Sequence, residues 1–267
     1  MSNRRLEGKV AIVTGAGGGM GRGYALHLAR LGADVAIFDK DLSSGKRWGE
    51  YADSVANEIR DLGQRVVAVE GDLSVRSQAQ AAVEEAAREL GPIDILVNNA
   101  GGMLTPIERS RPTVIPDEDI ETLMGANFLS AVYCCQAAAP LLTRPGASII
   151  NIVTFGVFAG EPGARGSIYA AAKAALLNYT RNLAVECGPD GIRANCIAPG
   201  LILTARVAAT AKERGVATAE QTGSIPLRRL GQVDDMLGSL EFLASDMSRY
   251  ITGECITVAG GAGLTSI

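Results

Sequence analysis

Short apolar runs alternate with helical stretches along almost the whole of this chain. The runs lie at residues 10–13, 34–38, 66–69, 93–97, 148–153, 194–198 and 255–258. Between them, residues 20–31, 50–62, 74–90, 117–142, 167–187 and 233–244 carry helical periodicity, several closing on glycine (Gly32, Gly63, Gly91). A strand that is apolar along its whole length must be covered on both faces. A helix between successive strands is the crossover that parallel pairing requires. Seven strands without a long linker in 267 residues predict one α/β domain, a doubly wound, seven-stranded parallel sheet with helices on both faces, spanning 1–267. Two segments break the rhythm, 102–116 and 201–226. Long irregular stretches in such a domain form lids or binding loops, so both are assigned to the wall of a substrate site.

Composition removes several classes of function. The chain carries a net charge of −4 and no basic run longer than two residues, so it offers no electrostatic footprint for nucleic acid or an anionic membrane. The N-terminal residues show no apolar signal region, and no apolar run reaches spanning length, which predicts a cytoplasmic protein. The five cysteines (134, 135, 187, 196, 255) form no C-x-x-C pair and read as small buried residues of a reducing compartment. No His/Cys/Asp cluster has metal-ligand spacing, so no catalytic metal is expected, and the sole histidine, His27, reads as structural.

The first strand runs into Thr14-Gly-Ala-Gly-Gly-Gly-Met-Gly-Arg-Gly23. Glycines let backbone approach a phosphate, and the next helix offers free N–H groups and a positive dipole end. The strict G-x-G-x-x-G spacing fails here, since the sixth position from Gly15 is Met20; T-G-x-x-x-G-x-G fits through Thr14, Gly15, Gly19 and Gly21. The second strand ends in Asp39, where a carboxylate accepts hydrogen bonds from adenosine ribose hydroxyls and repels a 2′-phosphate. That favours NAD over NADP, with Lys40 as the opposing cation and a plain strand-end cap as the other reading of Asp39. Asp72 and Leu73, at the end of the third strand, suit an adenine contact by the same edge logic.

Tyr169 and Lys173 stand four residues apart in a helical stretch and so share one face, about 5–6 Å apart at Cβ. A tyrosine ordinarily ionises near pH 10, and a cation held beside it favours the phenolate. A phenol and an ammonium so placed can move a proton.

With Asn98-Asn-Ala-Gly101 after the fourth strand and Pro199-Gly200 after the sixth, these motifs stand in the order and intervals of a known family. From Gly8 to about Gly261 the chain resembles a short-chain dehydrogenase/reductase. The resemblance implies a single Rossmann-type domain, a nicotinamide cofactor and usually a homotetramer, or else a homodimer. It implies that Tyr169 is the general acid/base, that Lys173 lowers the tyrosine's pKa and holds the nicotinamide ribose, and that Asn127 anchors a proton-relay water. A bonding role for Asn127 toward helix backbone is the plainer reading. The cofactor would be held by Gly15, Gly19, Met20, Gly21, Asp39, Asp72, Leu73, Asn99, Ala100, Gly101, Tyr169, Lys173, Pro199, Gly200, Ile202 and Thr204.

The chain departs from the family at the substrate-positioning serine. The usual Asn-Ile-Ser-Ser is replaced by Asn151-Ile-Val-Thr154, and Thr154 lies 15 residues before Tyr169 where the family has 13. Aligning Gly160-Glu-Pro-Gly163 with the family's Gly-x-Pro-Gly puts Thr154 in the serine place and two extra residues within 164–168. A threonine hydroxyl can donate the same hydrogen bond to a substrate oxygen. The competing alignment puts Gly156 there, with no side chain, and leaves Ser167 as a helix N-cap. Ala259-Gly-Gly261 also replaces the family's Asp-Gly-Gly. The resemblance implies an NAD(H)-dependent oxidoreductase that interconverts a small secondary alcohol and its ketone. Two other readings stay open: a non-catalytic NAD(H)-binding sensor or scaffold, and an epimerase or dehydratase on the same scaffold.

Overall fold

The computed structural model describes residues 5–51, 53–158, 160 and 162–264. Its strands are β1 (Val10–Thr14), β2 (Asp34–Asp39), β3 (Val66–Glu70), β4 (Ile95–Asn98), β5 (Ser148–Ile152), β6 (Arg193–Pro199) and β7 (Cys255–Val258). They form one sheet in the order β3-β2-β1-β4-β5-β6-β7, every pair parallel. The chain leaves β1 toward β2 and β3, then returns to β4 on the other side. The carboxyl ends of β1 and β4 therefore flank the crevice where doubly wound sheets bind ligands.

The helices are α1 (Gly19–Arg30), α2 (Val55–Asp61), α3 (Arg76–Leu90), α4 (Asp117–Met124), α5 (Ser130–Ala138), α6 (Ser167–Cys187), α7 (Ala205–Arg214), α8 (Ala219–Ser224) and α9 (Val233–Ala244). Every residue of β1, β4, β5 and β6 is buried, as sheets covered on both faces require. On one face α1, α2 and α9 bring Tyr24, Leu28, Ile59, Met236 and Leu240 against Val13, Ile37, Val97 and Ile152. On the other, α3 and α5 set Val83, Ala86 and Cys135 on Ile12, Phe38, Leu96 and Ile149. Leu176 and Leu177 of α6 continue that layer over Val153, Cys196 and Ala198. Each large apolar side chain so buried stabilises the fold by about 1.5–3 kcal/mol relative to exposure.

Three stretches differ from their sequence reading. The helix expected over 50–62 is confined to Val55–Asp61. Ahead of it, a 3₁₀ turn at Ser44–Trp48 closes on Gly49 in the left-handed region (φ 71), which ends helical propagation. Glu50 and Tyr51 then turn back onto the glycine-rich loop, and the Ser54 side chain caps α2 by accepting the Asn57 N–H at 3.1 Å. The stretch expected to be one helix over 117–142 is interrupted by a π-helical turn at Gly125–Leu129, which carries Asn127. The segment 201–226, read as irregular, holds α7 and α8, each capped by a threonine, Thr204 and Thr218. These helices escape a periodicity search because they are short and their apolar positions are mostly alanine.

Candidate active site

The glycine turn between β1 and α1 is shaped by close approach. A Cβ on Gly21 would collide with the Gly15 carbonyl oxygen, and one on Gly15 would lie 2.9 Å from the Ala100 Cα. Gly15 and Gly19 also sit at positive φ (65 and 55). The turn is stapled to the end of β4 through Thr14, whose Oγ1 accepts the N–H groups of Asn99 (3.0 Å) and Ala100 (2.9 Å). The Asn99 amide donates back to the carbonyls of Thr14 (3.0 Å) and Gly15 (3.1 Å). The two loops that flank the crevice are thus one hydrogen-bonded unit.

Asp39 ends β2 facing this turn. Its Oδ2 accepts the Gly17 N–H at 2.8 Å and its Oδ1 the Asp41 N–H at 3.1 Å. Burial raises its pKa above the usual carboxylate value, and these backbone donors oppose the rise. Lys40 points elsewhere, its Nζ donating to Asp72 Oδ2 at 2.7 Å. Asp72 also accepts the Ser74 hydroxyl at 2.5 Å, so Lys40 first and Ser74 next hold its pKa below the usual value. Leu73 is buried under that corner. Met20 packs partly buried against the α1 side of the core.

Glu50 was not singled out by the sequence, and it occupies the heart of the turn. Its Oε2 accepts the Gly19 N–H, the first of α1, at 2.6 Å, and a Cβ on Gly18 would lie 2.8 Å from the same oxygen. Tyr51 braces the arrangement by donating its hydroxyl toward the carbonyls of Gly17 (2.9 Å) and Leu42 (2.7 Å). The segment after β2 therefore lies across the glycine loop. Only the helix-like look of 50–62 hid it, because a carboxylate reaching back to a glycine turn has no sequence signature.

On the opposite side of the crevice, α6 carries Tyr169, half-buried, and Lys173, fully buried, one turn apart. Lys173 Nζ donates to the carbonyl of Ile152, the last residue of β5, at 2.8 Å. Burial pushes its pKa down to about 8. Thr154 follows two residues after Ile152, and its hydroxyl oxygen accepts the Gly156 N–H at 3.4 Å. The hydroxyl proton remains available to a further acceptor. Gly156 is buried inside a short 3₁₀ turn, where its N–H rather than any side chain contributes.

Asn127 meets Gly101 and Gly102. Its Oδ1 accepts the Gly102 N–H at 2.7 Å, while its Nδ2 donates to the carbonyls of Gly102 and Leu123, both at 3.0 Å. A Cβ on Gly101 would strike this amide. Both side-chain protons are thus committed to backbone, and the side chain holds the 101–102 loop. Ser167 does not cap α6. Gly166 occupies the N-cap at φ 71, while the Ser167 hydroxyl donates to the Ser110 carbonyl at 3.1 Å.

After β6, the Gly200 N–H donates to the Val258 carbonyl at 2.9 Å, and Ile202 bridges to Gly231. The Thr204 Oγ1 accepts the Val207 N–H at 3.2 Å, and its methyl would lie 3.5 Å from a Cβ on Gly19. The Pro199–Thr204 corner therefore closes over the same glycine turn. Phe155, Phe158, Val258, Ala262 and Leu264 line an apolar cavity of about 560 Å³ between the turn after β5 and the residues after β7. His27 pairs with Glu241 at 3.1 Å, away from this crevice. Among the described residues no three His, Cys, Asp or Glu side chains gather to hold a metal ion. No helix among them is long and apolar enough to cross a membrane.

A family profile described as Enoyl-(Acyl carrier protein) reductase matches residues 15–263. A cyclohexanol dehydrogenase from a Rhodococcus species is 39% identical over 267 aligned residues, covering 97% of each chain. The chain belongs to the short-chain dehydrogenase/reductase family. Within the family it is also similar to the 7alpha-hydroxysteroid dehydrogenase of Escherichia coli, at 34% identity over 97% of this chain and 96% of that one. Among solved short-chain dehydrogenase/reductase folds, one from Burkholderia cenocepacia in complex with NADP superposes with a TM-score of 0.83 at 31% identity, covering 96% and 98% of the two chains. A blue fluorescent protein from a metagenomic library, in complex with NADPH, gives 0.83 at 34%, covering 97% and 99%.

Proposed function

We propose that this chain is a nicotinamide-dependent dehydrogenase of small secondary alcohols, reversible to ketone reduction, with NAD as its preferred cofactor. The observation that carries the reading is the buried Lys173 ammonium, one helical turn from Tyr169 and tied to the end of β5. A buried cation is costly unless its charge is used. Here it stabilises negative charge on the Tyr169 phenol when that group takes the substrate's hydroxyl proton. A sensor or scaffold has no need of such a charge.

The glycine turn suits a dinucleotide, since its backbone is packed so closely that side chains at Gly15 and Gly21 would strike Ala100 and the Gly15 carbonyl. Gly15, Gly19, Met20 and Gly21 would face the pyrophosphate, and Asp39 the adenosine ribose with Asp72 and Leu73 at the adenine. Asn99, Ala100, Gly101, Pro199, Gly200, Ile202 and Thr204 would enclose the nicotinamide end with Tyr169 and Lys173. When bound, the nicotinamide supplies the hydride acceptor. Thr154 donates to the substrate oxygen and orients it toward Tyr169. Asn127 keeps the 101–102 loop in place so that the site retains its width. An alcohol with an apolar body is in keeping with the cyclohexanol dehydrogenase among the relatives.

Asp39 supports NAD, and the pairing of Lys40 with Asp72 supports it further by taking that cation away from the ribose. The NADP and NADPH complexes of the two solved relatives weigh for NADP. The decisive measurement is kcat/KM with each cofactor on a panel of secondary alcohols that includes cyclohexanol. A like-charge contact with a 2′-phosphate costs several kcal/mol, so NAD should win by about 10²-fold or more. Asp39→Ala should shrink the ratio. An NADP preference in the parent protein overturns the cofactor assignment, and no oxidation with either cofactor overturns the enzymatic one.

A further inference from the structure

Three of the five cysteines lie apart from the remaining two. Cys134 and Cys135 are consecutive on α5 and deeply buried, where helical geometry turns neighbouring side chains away from each other, and Cys187 closes α6. Cys196 and Cys255 are different. They are directly paired residues of β6 and β7, the last two strands of the sheet. In-register partners on parallel strands project to the same face. Both pack on the layer formed with Leu176 and Leu177 of α6, so the two side chains lie next to each other across the β6–β7 pairing.

Neighbouring strands lie about 4.7–4.9 Å apart, inside the 4.4–6.8 Å range of Cα separations that a disulfide spans. We propose that Cys196 and Cys255 are a reversible dithiol–disulfide site, oxidised by hydrogen peroxide or a comparable two-electron oxidant, that fastens the edge strand β7 to β6. This site is independent of the alcohol chemistry.

The two sulfurs have unequal roles. Cys255 is half-buried on the edge strand and Cys196 is fully buried, so oxidant reaches Cys255 first. The neighbouring Cys196 thiol first, with Arg181 nearby, lowers the Cys255 pKa against the opposing effect of burial, which favours its thiolate. That thiolate attacks one peroxide oxygen and breaks the O–O bond, giving a sulfenic acid and, after protonation, one water. Cys196 then attacks the sulfenic sulfur and expels its oxygen as a second water. In sum two thiols and one peroxide give one disulfide and two waters, and both electrons pass to the peroxide. The Cys196 thiol gives up its 3.2 Å hydrogen bond to Thr180 on closing, and Thr180 keeps the Asn151 amide as a donor at 2.8 Å. Cys255 lies partly exposed on the edge strand, and accessible disulfides are the more readily reduced, which makes the step reversible.

The test is a thiol count on the intact folded protein after brief exposure to equimolar hydrogen peroxide, read after denaturation, with peptide mapping. The count should fall from five, the cysteines of the chain, by two. A peptide pair joined through Cys196 and Cys255 should appear, and dithiothreitol should restore the full count. Cys255→Ser should leave Cys196 reduced under the same treatment. Cys255 accumulating as sulfinic acid with Cys196 untouched overturns the proposal. So does loss confined to Cys187, or survival of all five thiols.

Discussion

Glu50 places a negative charge where a dinucleotide would put its pyrophosphate. Its carboxylate accepts the first amide of α1 at 2.6 Å and is half-buried beneath the segment that Tyr51 braces. A carboxylate at a helix N-terminus contributes about 0.3–1 kcal/mol when exposed and up to about 2 kcal/mol when partly buried. A pyrophosphate claims the same N–H groups, so binding must first break this contact. At about 1–2 kcal/mol the contact weakens dinucleotide affinity by about 5–30-fold. Glu50→Gln keeps the size and removes the charge. It should therefore tighten NADH binding by that factor and lower the thermal midpoint of the free protein by a few degrees at most. A fluorescence titration of NADH against parent and variant measures the first quantity, and a thermal melt the second. An unchanged or weaker affinity in Glu50→Gln refutes the argument, for it would mean that the carboxylate and the pyrophosphate do not compete for the Gly19 amide.

Other substitutions probe the catalytic end. Tyr169→Phe removes only a hydroxyl, so turnover should fall by about 10²–10⁴ with NADH binding intact; activity within a few-fold of the parent would end the acid/base assignment. Thr154→Val keeps the shape and loses the donor, and should cost about 10²–10³ in kcat, with Thr154→Ser tolerated. A harmless Thr154→Val would instead favour the alignment that puts Gly156 in the serine place. Lys173 predicts a pH signature of stability. Its folded pKa of about 8 lies below the ordinary 10.5, so the burial penalty is fully present below pH 8 and is relieved by pH 10.5. Relative to Lys173→Met, the parent should gain up to about 3 kcal/mol across that window, read by denaturant titration at several pH values. A constant difference between the two proteins would show that Lys173 titrates normally.

The sheet was legible because its strands are apolar throughout and its long helices carry stripes; α6 and α9 fall where periodicity puts them. The helix that bears Tyr169 and Lys173 was legible because a four-residue spacing fixes two side chains on one face without tertiary information. What escaped depends on contacts distant in sequence. Glu50 reaches a glycine 31 positions earlier, and Tyr51 one 34 positions earlier. Ser167 looked like a cap because it begins a helix, yet Gly166 can adopt the left-handed backbone that the entry needs, and Ser167 turns to Ser110 instead. The sequence offered Asn127 both as a relay residue and as a group bonding helix backbone, and its amide does bond the Leu123 carbonyl. Its engagement of Gly102 was not legible, because that depends on where the loop after β4 runs.

Ser110 bears on how this protein could change. It is fully buried, accepts the Gly166 N–H through its hydroxyl at 2.9 Å, and receives the Ser167 hydroxyl at its carbonyl. Its neighbour Arg109 pairs with Asp119 at 2.8 Å and moors the same segment to α4. The 102–116 segment is therefore bolted to the first turn of the helix that bears Tyr169. It cannot be exchanged as a free cassette. A laboratory or natural lineage that rewrites this segment for a new substrate should see rate and selectivity drift together, unless Ser110 is kept as the fixed joint around which the rest varies.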